Sequence, residues 1–128
     1  MGARGKIKYF TVAHSPVGYG MEAGLIEPDD ALTHEDRHLV NNVIGAQRMS
    51  MDVSTQLDMN MNDIVLLASD GLYDNLTEEE IIESLTRGSL IERMNSLVAK
   101  CHKRMTSLEE GKPCNPDDLT IILFRPVA

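Results

Sequence analysis

A chain of 128 residues with 12 Lys and Arg against 20 Asp and Glu, a formal charge of −8, two Phe, three Tyr and no Trp has neither the basic stripe nor the stacking aromatics that nucleic-acid binding requires. It is one domain at most by length, and its longest apolar run, Ile64–Ala68, falls far short of the roughly 20 residues that span a bilayer, so neither nucleic acid nor membrane is expected as a partner. Two cysteines, Cys101 and Cys114, give neither a disulfide framework nor metal-ligand spacing, and a reducing, cytoplasmic setting follows as the expectation.

Along the chain, Met1–Gly5 reads as a loose start. Lys6–Ala13 sets Ile7, Tyr9 and Thr11 against Lys6 and Lys8, an alternation that predicts a half-buried strand. Gly18–Ile26 predicts a short helix, and Pro28 in a first turn with Asp29 and Asp30 predicts a second running towards His34. Leu39–Ile44 is β-like. Asp63–Ala68 is a continuous apolar run with β-branched residues, as expected of a strand covered on both faces, and it stops at Ser69-Asp70-Gly71.

Thr77-Glu78-Glu79-Glu80 is a capping box ahead of Ile81, Ile82 and Leu85, and Ser89-Leu90-Ile91-Glu92 repeats the device. The second of these two helices is the clearer: Leu90, Ile91, Met94, Leu97, Val98, Cys101 and Met105 fall on one stripe at a period near 3.6. Its methionines read as gap-filling core. After a polar loop at Glu109–Pro116, Leu119–Phe124 forms another unbroken apolar strand closed by Arg125-Pro126. The fold class is α+β, and no internal repeat divides the chain.

The acidic residues that could carry chemistry stand at the ends of the two apolar strands. Asp70 leaves the C-terminal end of the first, and Asp117 and Asp118 stand at the N-terminal entrance of the second. Antiparallel neighbours would bring these carboxylates to one sheet edge. An oxygen-only cluster of this kind selects hard divalent cations such as Mg²⁺ or Mn²⁺ over zinc. Spacing alone leaves a blander reading open, since Ser-Asp-Gly is an ordinary turn and Asp-Asp an ordinary strand approach.

Leu66-Leu67-Ala68-Ser69-Asp70-Gly71-Leu72-Tyr73-Asp74-Asn75-Leu76 resembles the S-D-G-[LI]-[WYF]-D signature of the metal-dependent protein phosphatases of type 2C. Asp117-Asp118-Leu119-Thr120-Ile121-Ile122 is similar to the closing D-[ND]-x-[ST]-x-[IV] motif of that family, with two helices between, as the family has. The segments from Ala13-His14-Ser15-Pro16 to Ala23-Gly24-Leu25-Ile26, and from His34 to Gly45 with Arg37, are similar to its bacterial branch. The resemblance implies a protein serine/threonine phosphatase, built as a β-sandwich flanked by helices and using two Mn²⁺ or Mg²⁺ ions to activate a water that attacks phosphate.

By the same resemblance, Asp70 and Asp117 match metal-ligand positions, and Asp118 stands where the family often has Asn. The family's earlier Asp-Gly-His-Gly motif has no counterpart in this sequence, so no catalytic acid or phosphate-binding Arg carries over. The expectation is therefore the C-terminal half of such a catalytic domain, with the β-sandwich present only in part. Expected partners are a phosphoprotein substrate, the N-terminal half or another chain that completes the sheet, and, failing that, self-association.

His34-Glu35-Asp36-Arg37-His38 also fits H-E-x-x-H, the zinc-peptidase spacing that needs both His side chains on one helical face. The following Leu39-Val40-Asn41-Asn42-Val43-Ile44 favours a strand instead, and no third His follows at the metzincin spacing. Gly2-Ala3-Arg4-Gly5-Lys6 is too tight for a Walker loop, and Met1-Gly2 lacks the Ser or Thr of a myristoylation signal. Besides the phosphatase, two alternatives stand: a non-catalytic interaction module of the same fold, and the zinc peptidase.

Overall fold

The structure, a computed structural model, describes residues 5–127. Residues 1–4, where most of the loose start and both N-terminal motif patterns fall, lie outside the described residues. The elements in order are α1 (Pro16–Glu22), α2 (Pro28–Ala31), β1 (Val65–Ala68), α3 (Asp70–Tyr73), α4 (Glu78–Thr86), α5 (Leu90–Thr106) and β2 (Ile121–Phe124). They divide between two compact units, residues 9–58 and residues 5–8 with 59–127. Among the described residues no helix is long and apolar enough to cross a membrane.

In the unit of residues 9–58, α1 begins two residues earlier than the sequence pattern places it. Ser15 caps it by accepting a hydrogen bond from the Gly18 amide, and Pro16 stands in the first turn, where a missing N–H leaves nothing unmet. It ends at Gly24, whose φ of 69° is open to glycine at little strain. The Gly24 amide returns to the Met21 carbonyl and the Leu25 amide to the Gly20 carbonyl, a Schellman closure that stops the helix short of Ile26. The α2 helix is a single turn with no side-chain cap and does not reach His34.

Neither Lys6–Ala13 nor Leu39–Ile44 is a strand. An alternating segment becomes a strand only when a neighbour takes up its backbone groups, and no ladder forms with either one. Leu39–Ile44 makes isolated bonds instead. The Asn41 amide donates to the His14 carbonyl, and the Asn42 side chain pairs with both backbone groups of Ser50.

In the other unit, β1 and β2 pair antiparallel in the register Val65↔Phe124, Leu66↔Leu123, Leu67↔Ile122 and Ala68↔Ile121. The two strands are thus the antiparallel neighbours that the acidic positions called for. They make a two-stranded sheet covered on one face only, which corrects the expectation of strands covered on both faces. Leu66, Ala68, Ile121 and Leu123 pack against the core, whereas Leu67, Ile122 and Phe124 are exposed. The physical reason is the count of layers. The helical layer of α4 and α5 lies on one side, and the pleat sends every second side chain to the other.

The core gathers Leu72 and Leu76, which follow β1, with Ile81 of α4 and Leu97, Cys101 and Met105 of α5. Both capping boxes form as the sequence pattern indicates, at Thr77 with Glu80 and at Ser89 with Glu92. Leu97, Cys101 and Met105 of the α5 stripe are buried, but Ile91, in its first turn, stays 73% exposed.

Candidate metal centre

The antiparallel register places the exit of β1 beside the entrance of β2, and three hydrogen bonds of Ser69, one from its backbone and two from its hydroxyl, fix that junction. The Ser69 amide donates to the Thr120 carbonyl at 2.9 Å. The Ser69 hydroxyl donates to the Asp118 carbonyl at 3.2 Å and accepts from the Thr120 amide at 3.0 Å. Gly71 lies so close that a Cβ there would sit 2.3 Å from the Asp118 carbonyl oxygen. Asp70 is therefore held between two residues that both touch the strand entrance carrying Asp117 and Asp118.

All three carboxylate residues are exposed. Asp70 opens α3, the single turn that follows β1, and Oδ1 of Asp117 accepts a hydrogen bond from the Asp118 amide at 2.7 Å. Exposure leaves them solvated, so their mutual repulsion is tolerable, and it leaves them open to a cation. The donor set is oxygen only, which suits a hard divalent ion. Among the described residues no three His, Cys, Asp or Glu side chains gather as a ready-made metal-holding group. The junction gathers three exposed carboxylate residues at one sheet edge.

Behind this edge lies a second layer that sequence reasoning missed. Asn75, fully buried, donates from Nδ2 to the Gly71 carbonyl at 2.9 Å and the Asn115 carbonyl at 2.7 Å, and its Oδ1 accepts from the Asn115 amide at 2.8 Å. The Asn115 side chain donates in turn to the Asp74 carbonyl. The thiol of Cys101 donates to the Gly71 carbonyl. Arg104, also buried, donates to the Asn75 carbonyl at 3.0 Å and to Glu80 at 2.6 Å. The sequence signal was an Asn before Pro116, where the chain is held extended and its peptide groups stay available.

Electrostatics agree with a rigid support. Burial raises the Glu80 carboxyl, but the Thr77 amide, the Arg104 guanidinium and Lys112 together outweigh it and hold the group below its ordinary value. Burial pushes the Cys101 thiol up against the smaller opposing pull of Arg104, which leaves it a protonated, packed side chain rather than a nucleophile.

The competing zinc reading lacks its geometry. His34–His38 lies in turns, not a helix, and the His34 ring nitrogen Nδ1 accepts a hydrogen bond from the Asp36 amide. His34 and His38 therefore do not share a helical face.

No protein-family model matches the chain. The protein phosphatase PTC7 homolog fig of Drosophila grimshawi is 28% identical over 93 residues, covering 56% of this chain and 30% of that protein. Among solved structures, the serine/threonine phosphatase of S. agalactiae matches with a TM-score of 0.65 at 22% sequence identity, over 91% of this chain and 46% of that one. The fold is thus that of part of a serine/threonine phosphatase. The chain is a distant relative of the type 2C protein phosphatases, and it spans less than a third of the length of the curated relative and under half of the solved one.

Proposed function

We propose that residues 1–128 act as the C-terminal portion of a metal-dependent protein serine/threonine phosphatase, with Asp70 and Asp117 as ligands to Mn²⁺ or Mg²⁺ and Asp118 beside them. One observation carries the reading: the Ser69-Asp70-Gly71 turn is hydrogen-bonded and sterically fitted to the Asp117-Asp118 entrance of β2. When bound, such cations supply Lewis-acid polarisation and a more acidic water. The chain's own part is positional. Its two strand ends hold carboxylates at fixed places, and fixed places are what electrostatic stabilisation of a transferring phosphoryl group requires.

The remaining ligands come from residues outside this set, and the second layer of the β-sandwich from the same source. The phosphoprotein substrate would meet the completed site. The exposed face of Leu67, Ile122 and Phe124 leaves the chain prone to self-association where nothing covers it. Two free cysteines suit a cytoplasmic setting.

The test is Mn²⁺-dependent hydrolysis of a phosphoserine peptide by the purified chain, its Asp70→Ala variant and the chelated protein, with Mn²⁺ binding followed by calorimetry. Turnover is expected near background, with dissociation constants in the millimolar range, at the weak end for carboxylate sites. Robust turnover abolished by both treatments would make the chain a complete catalyst. Mn²⁺ binding indifferent to Asp70→Ala and Asp117→Ala would remove the ligand assignment.

A further inference from the structure

We infer that Asn75 is a positioning residue, which sets the register of the 115–118 segment against the 69–71 turn and so fixes where Asp117 stands relative to Asp70. The two carboxylates sit on segments 47 positions apart in sequence, and each segment is short and exposed where the carboxylate lies. The Ser69 hydroxyl braces them on the strand side. On the other side the Asn75 side chain reaches both the Gly71 carbonyl and the Asn115 peptide, beside the bond from the Asn115 side chain to the Asp74 carbonyl.

The chemistry of the amide suits that task. Its Nδ2 has two protons and meets two carbonyls; its Oδ1 meets an N–H. Reversing the group would set the NH₂ against the Asn115 amide and the oxygen against two carbonyls, so one orientation satisfies every partner. Bonding both the N–H and the C=O of Asn115 fixes that peptide in translation as well as direction, much as a neighbouring strand would. Asn115 lies two residues before Asp117, and Gly71 one residue after Asp70. A slip at either bond is thus passed to a carboxylate over at most two residues.

Asn75 itself is held from behind, since Arg104 donates to its carbonyl, and Cys101 shares the Gly71 carbonyl with it. Complete burial keeps water from competing for these bonds. The consequence for metal binding rests on the proposed phosphatase reading; the brace itself does not.

Two measurements separate them. In the metal-free protein, hydrogen exchange followed by NMR should find the Asn75 side-chain amide and the Asn115 N–H protected. Asn75→Ala should speed exchange at Asn115 about tenfold, the worth of one lost buried hydrogen bond, while the Leu97 and Cys101 amides of α5 keep their protection. Mn²⁺ affinity, read by water-proton relaxation, should fall about tenfold in Asn75→Ala, as when a ligand's supporting shell is removed. Ile81→Ala, which loosens the core without touching the brace, should keep the parent affinity.

Rapid exchange at Asn115 in the unaltered protein overturns the inference, and that arm decides should Asn75→Ala fail to fold. Parent-like Mn²⁺ affinity in Asn75→Ala, alongside loss in Asp70→Ala, overturns it too. Binding indifferent to Asp70→Ala sinks the proposed function instead, and leaves the brace to be judged by exchange.

Discussion

A Cβ on Gly71 would meet the Asp118 carbonyl oxygen at 2.3 Å and its carbon at 3.2 Å, both backbone atoms that cannot swing aside. Gly71→Ala must push the β2 entrance away from the β1 exit. It is expected to cost about 1–3 kcal/mol in urea unfolding, the range for overpacking, and to weaken Mn²⁺ binding with it. A second residue-scale outcome concerns acid. Because the native Glu80 carboxyl is held below its ordinary value, its stabilising contribution is present above the unfolded value of about 4.3 and is lost as pH falls through the lowered native one. Unfolding followed from pH 7 downwards should show a shallower acid loss in Glu80→Gln than in the parent; an identical profile would show that the Arg104 contact adds nothing.

At this scale the placement of Asp70, Asp117 and Asp118 at the strand junction was legible because they border apolar runs. Asn75 was not legible, since two of the three groups its side chain bonds belong to a peptide 40 residues away that no local pattern announces.

Among the elements, α4 and α5 could be read from their capping boxes and apolar stripe because those signals act within one or two turns. Position along the stripe is a different matter. Leu97 is fully buried while Ile91, six residues earlier, is 73% exposed, for what covers a helix face is set by the elements it packs against. Leu97→Ala is therefore expected to lower unfolding free energy by about 2–5 kcal/mol, and Ile91→Ala to change it by no more than about 0.5 kcal/mol. Equal losses would contradict the packing described. Strands were the weaker half of the reading for the same reason. Lys6–Ala13 alternates as a strand should but forms no ladder, whereas β1 and β2 find each other across the intervening helices.

For the whole molecule, sequence motifs and fold similarity agree on a relationship while the sheet stays two strands wide. The match covers 91% of this chain and 46% of the solved phosphatase. On the proposed reading the exposed sheet face associates with a second copy, so sedimentation velocity at high concentration should show species above the monomer that diminish in Phe124→Lys; a strictly monomeric parent would count against this.

The most direct measurement is residue-resolved NMR line broadening by Mn²⁺. Signals of Asp70, Asp117 and their immediate neighbours should broaden first and together, at millimolar metal, and either alanine substitution should abolish the effect at both sites. Broadening centred elsewhere in the chain, or persisting around Asp117 after Asp70→Ala, would mean that the two strand ends do not share a cation.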